Sequence, residues 1–174
     1  VKQAYEKGVE CILNCQIVVD GMPTVWCQQH DSITLLPAQG RAYELPSFSA
    51  HGETPDIINF LMDIDSPSER VGRAVDNAIR WLKEHELKDV ALEHFVNNDG
   101  KPDIRIVHSE EANGLWARFY DLQNTEPLFC DRDGIPQIHI EDIGYERRMG
   151  YSWFGNSPAK VIERYEEWRL RNIF

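Results

Sequence analysis

From Trp26 to Ser47 the chain carries polar, aromatic and turn-forming residues together, and no helical or strand period survives across them. A connection of about 20 residues without regular structure of its own is uncommon inside a compact domain, and where it occurs it is usually functional. The rest of the chain must therefore fold as a scaffold that holds this loop. Pro37 and Gly40 precede Arg41 and Pro46 follows it, so backbone restriction on both sides decides where that guanidinium points. Arg41 is on that ground the leading candidate for a functional residue.

The scaffold is legible on either side of the loop. Val1, Ala4, Tyr5, Val9, Ile12 and Leu13 recur at helical spacing, which predicts an amphipathic helix over 1–15. It has no N-cap, and the chain opens without Met or a signal-like apolar segment, so the expectation is that something preceded it. Asp20-Gly21 predicts a turn. Thr54-Pro55-Asp56 reads as cap, first-turn proline and first-turn acid of a short helix to Met62. Ser66-Pro67-Ser68-Glu69 reads as a capping box that opens a second helix with Val71, Ala74, Val75, Ala78, Ile79 and Leu82 on its apolar stripe. The two make an αα-hairpin, with Trp81 extending its buried side.

From about residue 88 to 140 the pattern changes to short antiparallel strands. Ile104–Val107, Leu115–Leu122 and 138–140 are rich in aromatic or β-branched residues, and Asp99-Gly100, Asn113-Gly114 and Asp131–Gly134 supply turns. Residues 144–154 read as a second aromatic loop, and Ser157-Pro158 caps a last helix through Val161, Ile162, Tyr165 and Trp168. No linker-like stretch divides the chain, so one domain is expected.

Charge and cysteine content exclude several function classes. A net charge of −11 opposes nonspecific nucleic-acid binding, and no apolar run approaches the roughly 20 residues of a membrane-crossing helix. Neither nucleic acid nor membrane is an expected partner. Among the 18 basic residues 12 are Arg, whose planar fork suits carboxylates. Cys11, Cys15, Cys27 and Cys130 form no zinc spacing, and the six histidines contain no H-x-x-H. Cys11 and Cys15, one turn apart, read as small buried hydrophobes, and a Cys27–Cys130 disulfide stays open. His30-Asp31 has no accompanying nucleophile and reads as an orienting hydrogen bond within the loop.

Five separated segments carry a resemblance: Gly21–Asp31, Arg41–Ser47, Trp116–Asp121, Pro127–Gly134 and Gly144–Arg148. In this order they resemble the family-ten pectate lyases, and the match spans nearly the whole chain but only about the C-terminal half of such an enzyme. The resemblance implies a mainly α fold, the C-terminal half of an (α/α) toroid, with residues 1–174 as one portion of a catalytic domain. It implies a secreted bacterial enzyme that cleaves α-1,4-polygalacturonate by calcium-dependent anti β-elimination. It makes Arg41 the base that removes the C5 proton and gives Arg118 and Arg132 the substrate carboxylates. The calcium ligands are expected upstream, so no metal ligand is assigned here, and the N-terminal half is an expected partner, attached or as a second chain.

The chemistry suits arginine and strains it at once. A proton next to an ionised carboxylate is removable only if that carboxylate is neutralised, which guanidinium forks do. A guanidinium base needs neighbouring positive charge and burial, since its ordinary pKa lies above ~12. Other readings stay open: Arg41 can pair with Glu44, Arg132 with Asp131 and Asp133, and Arg147-Arg148 reads as a surface pair in preference to an outer carboxylate contact. The alternative function is a noncatalytic module that binds acidic polysaccharide through the same arginines.

Overall fold

The computed structural model describes residues 1–172. Its helices are α1 (Lys2–Cys15), α2 (Glu53–Met62), α3 (Glu69–Glu84), α4 (Tyr145–Met149) and α5 (Ser157–Arg171). Its strands are β1 (Val18–Val19), β2 (Met22–Pro23), β3 (Phe48–Ser49), β4 (Val90–Val96), β5 (Pro102–His108), β6 (Trp116–Ala117), β7 (Phe119–Tyr120), β8 (Phe129–Cys130), β9 (Pro136–Gln137) and β10 (Phe154–Gly155). Helix accounts for 37% of the chain, so the expected mainly α architecture is instead a mixed one, helices joined to short antiparallel pairs. The pairs are β1–β2, β4–β5, β8–β9, β3–β7 and β6–β10, the last two joining strands far apart in sequence.

The helical scaffold follows its apolar spacing. Every residue of the predicted α3 stripe is buried, as is Trp81, and α2 packs against both α3 and α5. The helix starts differ from expectation for steric reasons. Ser66 has φ of 51°, a left-handed backbone unsuited to an extended N-cap, so the cap moves to Ser68, whose Oγ accepts the Val71 N–H at 3.3 Å. Thr54 does not cap α2. Its hydroxyl is buried against the loop, where it accepts the Trp26 N–H at 3.3 Å, and Ser49 Oγ accepts the Glu53 N–H at 3.2 Å instead. The last turns of α1 dock most closely: Leu13 is buried and Trp26 Nε1 donates to the Ile12 carbonyl at 2.8 Å, whereas Val1, Ala4 and Tyr5 are exposed despite their place on the expected stripe, Tyr5 meeting the Phe60 ring edge-on at 6.2 Å.

The β segments depart further. The expected strand 115–122 breaks at Arg118, because β6 pairs with β10 while β7 pairs with β3. Arg118 sits at the junction, its N–H donating to the Trp153 carbonyl at 2.7 Å and its own carbonyl accepting from Ala50 N–H at 2.9 Å. The strand expected over 138–140 lies at 136–137; beyond it the chain turns into a 3₁₀ turn that buries Ile140. The expected loop 144–154 contains α4. All four cysteines are free thiols, and Cys11 is exposed rather than buried.

Tryptophans tie the layers together. Trp26, Trp81, Trp116, Trp153 and Trp168 are all buried, and Trp116 Nε1 donates to the Leu82 carbonyl at 2.8 Å, fastening β6 to the end of α3. Tyr120, 1% exposed, donates its hydroxyl proton to the His85 carbonyl at 2.9 Å and accepts the Ala117 N–H at 3.0 Å. Tyr120→Phe strands both backbone groups away from water, and we expect a loss of about 2 kcal/mol in urea unfolding.

Candidate active site

The aperiodic stretch is held by its own polar side chains and by Glu44. His30 Nε2 accepts the Cys27 N–H at 3.1 Å while Nδ1 pairs with the Leu35 carbonyl at 2.9 Å, the orienting role its lack of a nucleophile suggests. Glu44 is buried and accepts from Gln29 Nε2 at 2.9 Å and from the Arg41 N–H at 2.9 Å. Gly40 lies against the Gln29 amide, where a Cβ would fall 1.7 Å from Gln29 Oε1 and push that amide aside. Arg41 reaches back to the same carboxylate through Nε at 2.8 Å and through Nη2. Its side chain is 69% exposed, against 7% for Glu44. Hydrogen bonding from Arg41, then from Gln29, lowers the Glu44 pKa to about 2; the same pairing raises that of Arg41. Glu44 therefore keeps a proton on the guanidinium proposed to give one up.

Arg118 is fixed by its backbone junction and faces Glu53, with Nη2 3.0 Å from Oε1. Its guanidinium lies 4.9 Å from the Tyr151 ring centre and 5.5 Å from that of Phe119, and its Nε is buried without an acceptor among the described residues. Beside it His51 pairs Nδ1 with Ser157 Oγ at 2.8 Å, and its pKa is lowered by burial and then by the Arg118 charge.

Arg132 occupies the turn between β8 and β9. Gly134, at φ of 79°, closes that turn and lies so near the loop that a Cβ would meet the Ala42 carbonyl oxygen at 2.7 Å. That close approach carries Arg132 to Tyr43. Its fork does not take Asp131 or Asp133; Nε and Nη2 meet the Glu146 oxygens at 3.0 and 2.8 Å. That hydrogen bonding raises the Arg132 pKa and lowers that of Glu146, but both side chains are well exposed, and such pairs contribute little to stability.

The Arg147-Arg148 pair is not a surface pair. Arg148 forms a two-pronged ion pair with buried Asp103, Nε to Oδ1 at 2.7 Å and Nη2 to Oδ2 at 2.8 Å. Arg147 is 8% exposed and makes no ion pair among the described residues. Its guanidinium lies 4.2 Å from the Tyr151 ring centre, 4.8 Å from Tyr43 and 5.0 Å from Trp153. A desolvated cation over an aromatic face gains about 2 kcal/mol, and together with the 3.4 Å hydrogen bond from Nε to the Cys130 carbonyl and the nearby charges of Asp131 and Glu146 this explains how a buried guanidinium without an ion pair is tolerated. Arg41 and Arg132 flank the same Tyr43 ring, and Arg118 shares Tyr151, so the three arginines singled out by sequence come to one surface and Arg147 joins them. Nothing in the sequence marks Tyr43; the four-residue spacing of Arg147 and Tyr151 is the only advance signal for that contact.

Calcium does not fit the described residues. No group of three or more His, Cys, Asp or Glu is placed to hold a metal ion. Asp131 spends its two oxygens on the N–H groups of Arg132 and Gly144, at 2.7 and 2.6 Å, and Asp133 accepts from Ile135 N–H at 2.9 Å.

A family model described as pectic acid lyase matches residues 1–162. The chain belongs to the pectic acid lyase family. Solved structures agree: the family 10 polysaccharide lyase from Cellvibrio cellulosa matches with a TM-score of 0.82 and 32% identity over 95% of this chain. A mutant of that lyase, solved in complex with trigalacturonic acid, matches equally well. The chain spans 50% of the length of both solved relatives. No curated protein matches.

Within this pectic acid lyase domain, the Asp103–Arg148 pair anchors α4 and so the position of Arg147. Hydrogen bonding from Arg148 holds the Asp103 carboxyl below its ordinary range, so the stabilisation is complete above the unfolded value of about 3.9 and is lost as pH falls through the lower folded one. Arg148→Ala is expected to cost about 3 kcal/mol at pH 7. The gap from wild type in urea unfolding narrows as pH is lowered from 4 to 2.

Proposed function

We propose that this chain is the C-terminal half of a pectate lyase catalytic domain, half of an (α/α) toroid, and that it supplies the guanidinium groups for anti β-elimination on polygalacturonate. What carries the reading is the convergence of Arg41, Arg118, Arg132 and Arg147 on two tyrosines, in a family whose solved relative binds trigalacturonic acid. Arg118, Arg132 and Arg147 hold uronate carboxylates, which stabilises the charge that develops when the C5 proton leaves. Arg132 exchanges Glu146 for substrate at small cost because that pair is exposed. Arg147 meets a carboxylate without giving up an ion pair.

Arg41 is the base in this reading, and Glu44 opposes it in the free protein. An anionic substrate alone would not relieve that opposition, so added positive charge must come from elsewhere in the complete site. Calcium dependence is a general property of the family, and its ligands belong to the other half of the domain, attached or as a second chain. Action on a cell-wall polymer places the enzyme outside the cell. One observation favours the noncatalytic reading: Glu44 keeps Arg41 protonated, so these residues by themselves bind acidic sugar without removing a proton.

The complete lyase incubated with polygalacturonate and calcium is expected to form an ultraviolet-absorbing C4=C5 product, fastest at alkaline pH. No such product, with binding retained, leaves the noncatalytic module. Glu44→Gln weakens the hydrogen bonding and removes the charge that together raise the Arg41 pKa, so the limb on which kcat/KM rises with pH should move to lower pH. An unmoved limb argues against Arg41 as the base. Replacing Arg118 and Arg132 together with Ala should raise KM by at least about tenfold, the equivalent of one lost charge-assisted contact.

A further inference from the structure

We propose that Tyr43 is a positioning residue whose ring gathers Arg41, Arg132 and Arg147 into one cluster able to meet neighbouring carboxylates of a single acidic chain. The ligand class rests on the reading above; the gathering rests on geometry. The three guanidinium carbons lie 5.2, 5.5 and 4.8 Å from the centre of this one ring. They come from separate elements, the Trp26–Ser47 loop, the β8–β9 turn and α4, and their like charges favour separation.

Asp131 and Glu146 attract both Arg132 and Arg147, but neither forms an ion pair with Arg41, whose partner is Glu44. Glu44 pairs with Arg41 and Glu146 with Arg132, while Arg147 has neither. These carboxylates draw Arg132 and Arg147 together, whereas Glu44 acts on Arg41 and on neither of the other two. The half-buried Tyr43 ring is the group they share, and its electron-rich face attracts all three. The hydroxyl adds hydrogen bonding to Arg41 and Arg132, whereas Arg147 meets the ring.

The consequence is length-dependent recognition. Three cations held within one ring's reach can bind two adjacent carboxylates of one chain, and the second contact then forms at high effective concentration. A monomeric uronate gains nothing from the cluster. Tyr43→Leu lets the arginines separate and should weaken the oligomer selectively, while Tyr43→Phe, which keeps the ring and loses the hydroxyl, should fall between wild type and Tyr43→Leu.

The test uses the intact polypeptide that carries residues 1–174, with titration calorimetry against trigalacturonate and monomeric galacturonate. Arginine Nε–Hε resonances, followed by NMR without ligand, supply a second readout. Tyr43→Leu should weaken trigalacturonate binding by about tenfold, one lost cooperative contact, and monomer binding by less than about twofold. Tyr43→Phe should lose about threefold in trigalacturonate affinity, less than Tyr43→Leu, and stay within about twofold for the monomer. The resonances of Arg41, Arg132 and Arg147 should be ring-shifted in wild type and in Tyr43→Phe and relax in Tyr43→Leu. Equal trigalacturonate affinity of wild type and Tyr43→Leu overturns the proposal, as does a Tyr43→Phe loss matching that of Tyr43→Leu. If the leucine variant does not fold, unshifted wild-type resonances overturn it on their own. If wild type binds no galacturonate at all while the resonances behave as described, the polysaccharide reading falls and the gathering role of Tyr43 stands.

Discussion

Guanidinium groups repel one another, and a site built from several must be held together by groups that offset that repulsion. Here aromatic faces do that work. Tyr43 and Tyr151 each lie against more than one arginine, and Trp153 packs against Tyr151 at 5.0 Å while donating its indole N–H to the Arg147 carbonyl at 3.0 Å. The cationic surface is thereby continuous with the aromatic core: Trp153 meets Phe129 and Phe119, which lie in the short strand pairs. Moving the core would move the arginines.

Carboxylates set how firmly each arginine is held. Arg148 is locked by a buried aspartate and serves the framework; Arg118 is partly enclosed with Glu53; Arg132 has an exposed glutamate that solvent screens. Arg41 stands between, exposed itself but paired with a buried, lowered-pKa glutamate that the loop has fixed from three sides. This gradation separates arginines that bind from arginines that build, a division invisible in a count of basic residues. It also concentrates the chemical question on Glu44, since its charge raises the pKa of the residue expected to act as base.

Much of the fold was readable. The α3 stripe, the αα-hairpin, the hairpin about Asp99-Gly100 and the aperiodic character of 26–47 all rest on local periodicity and turn chemistry, which short segments express without help. The misjudged places are those where a distant partner decides. Thr54 looked like a cap until Trp26 claimed its hydroxyl, the strand through 115–122 divides because its halves pair with Phe154 and Phe48, and α1 was read as a buried stripe although the described fold covers only its end.

The sequence by itself determined the family, because the order of its five motifs is present without coordinates, and its arginine-rich basic complement marked three arginines as candidates for the site. Only the tertiary structure decided which of them share a surface. Arg41, Arg132 and Arg147 are brought to one ring by a glycine turn pressed against a carbonyl and by an α4 anchored to Asp103, contacts between segments about a hundred residues apart at the extreme. Local patterning specifies helices, strands and turns, but the pairing of charges and rings depends on distances that exist only after the elements have packed.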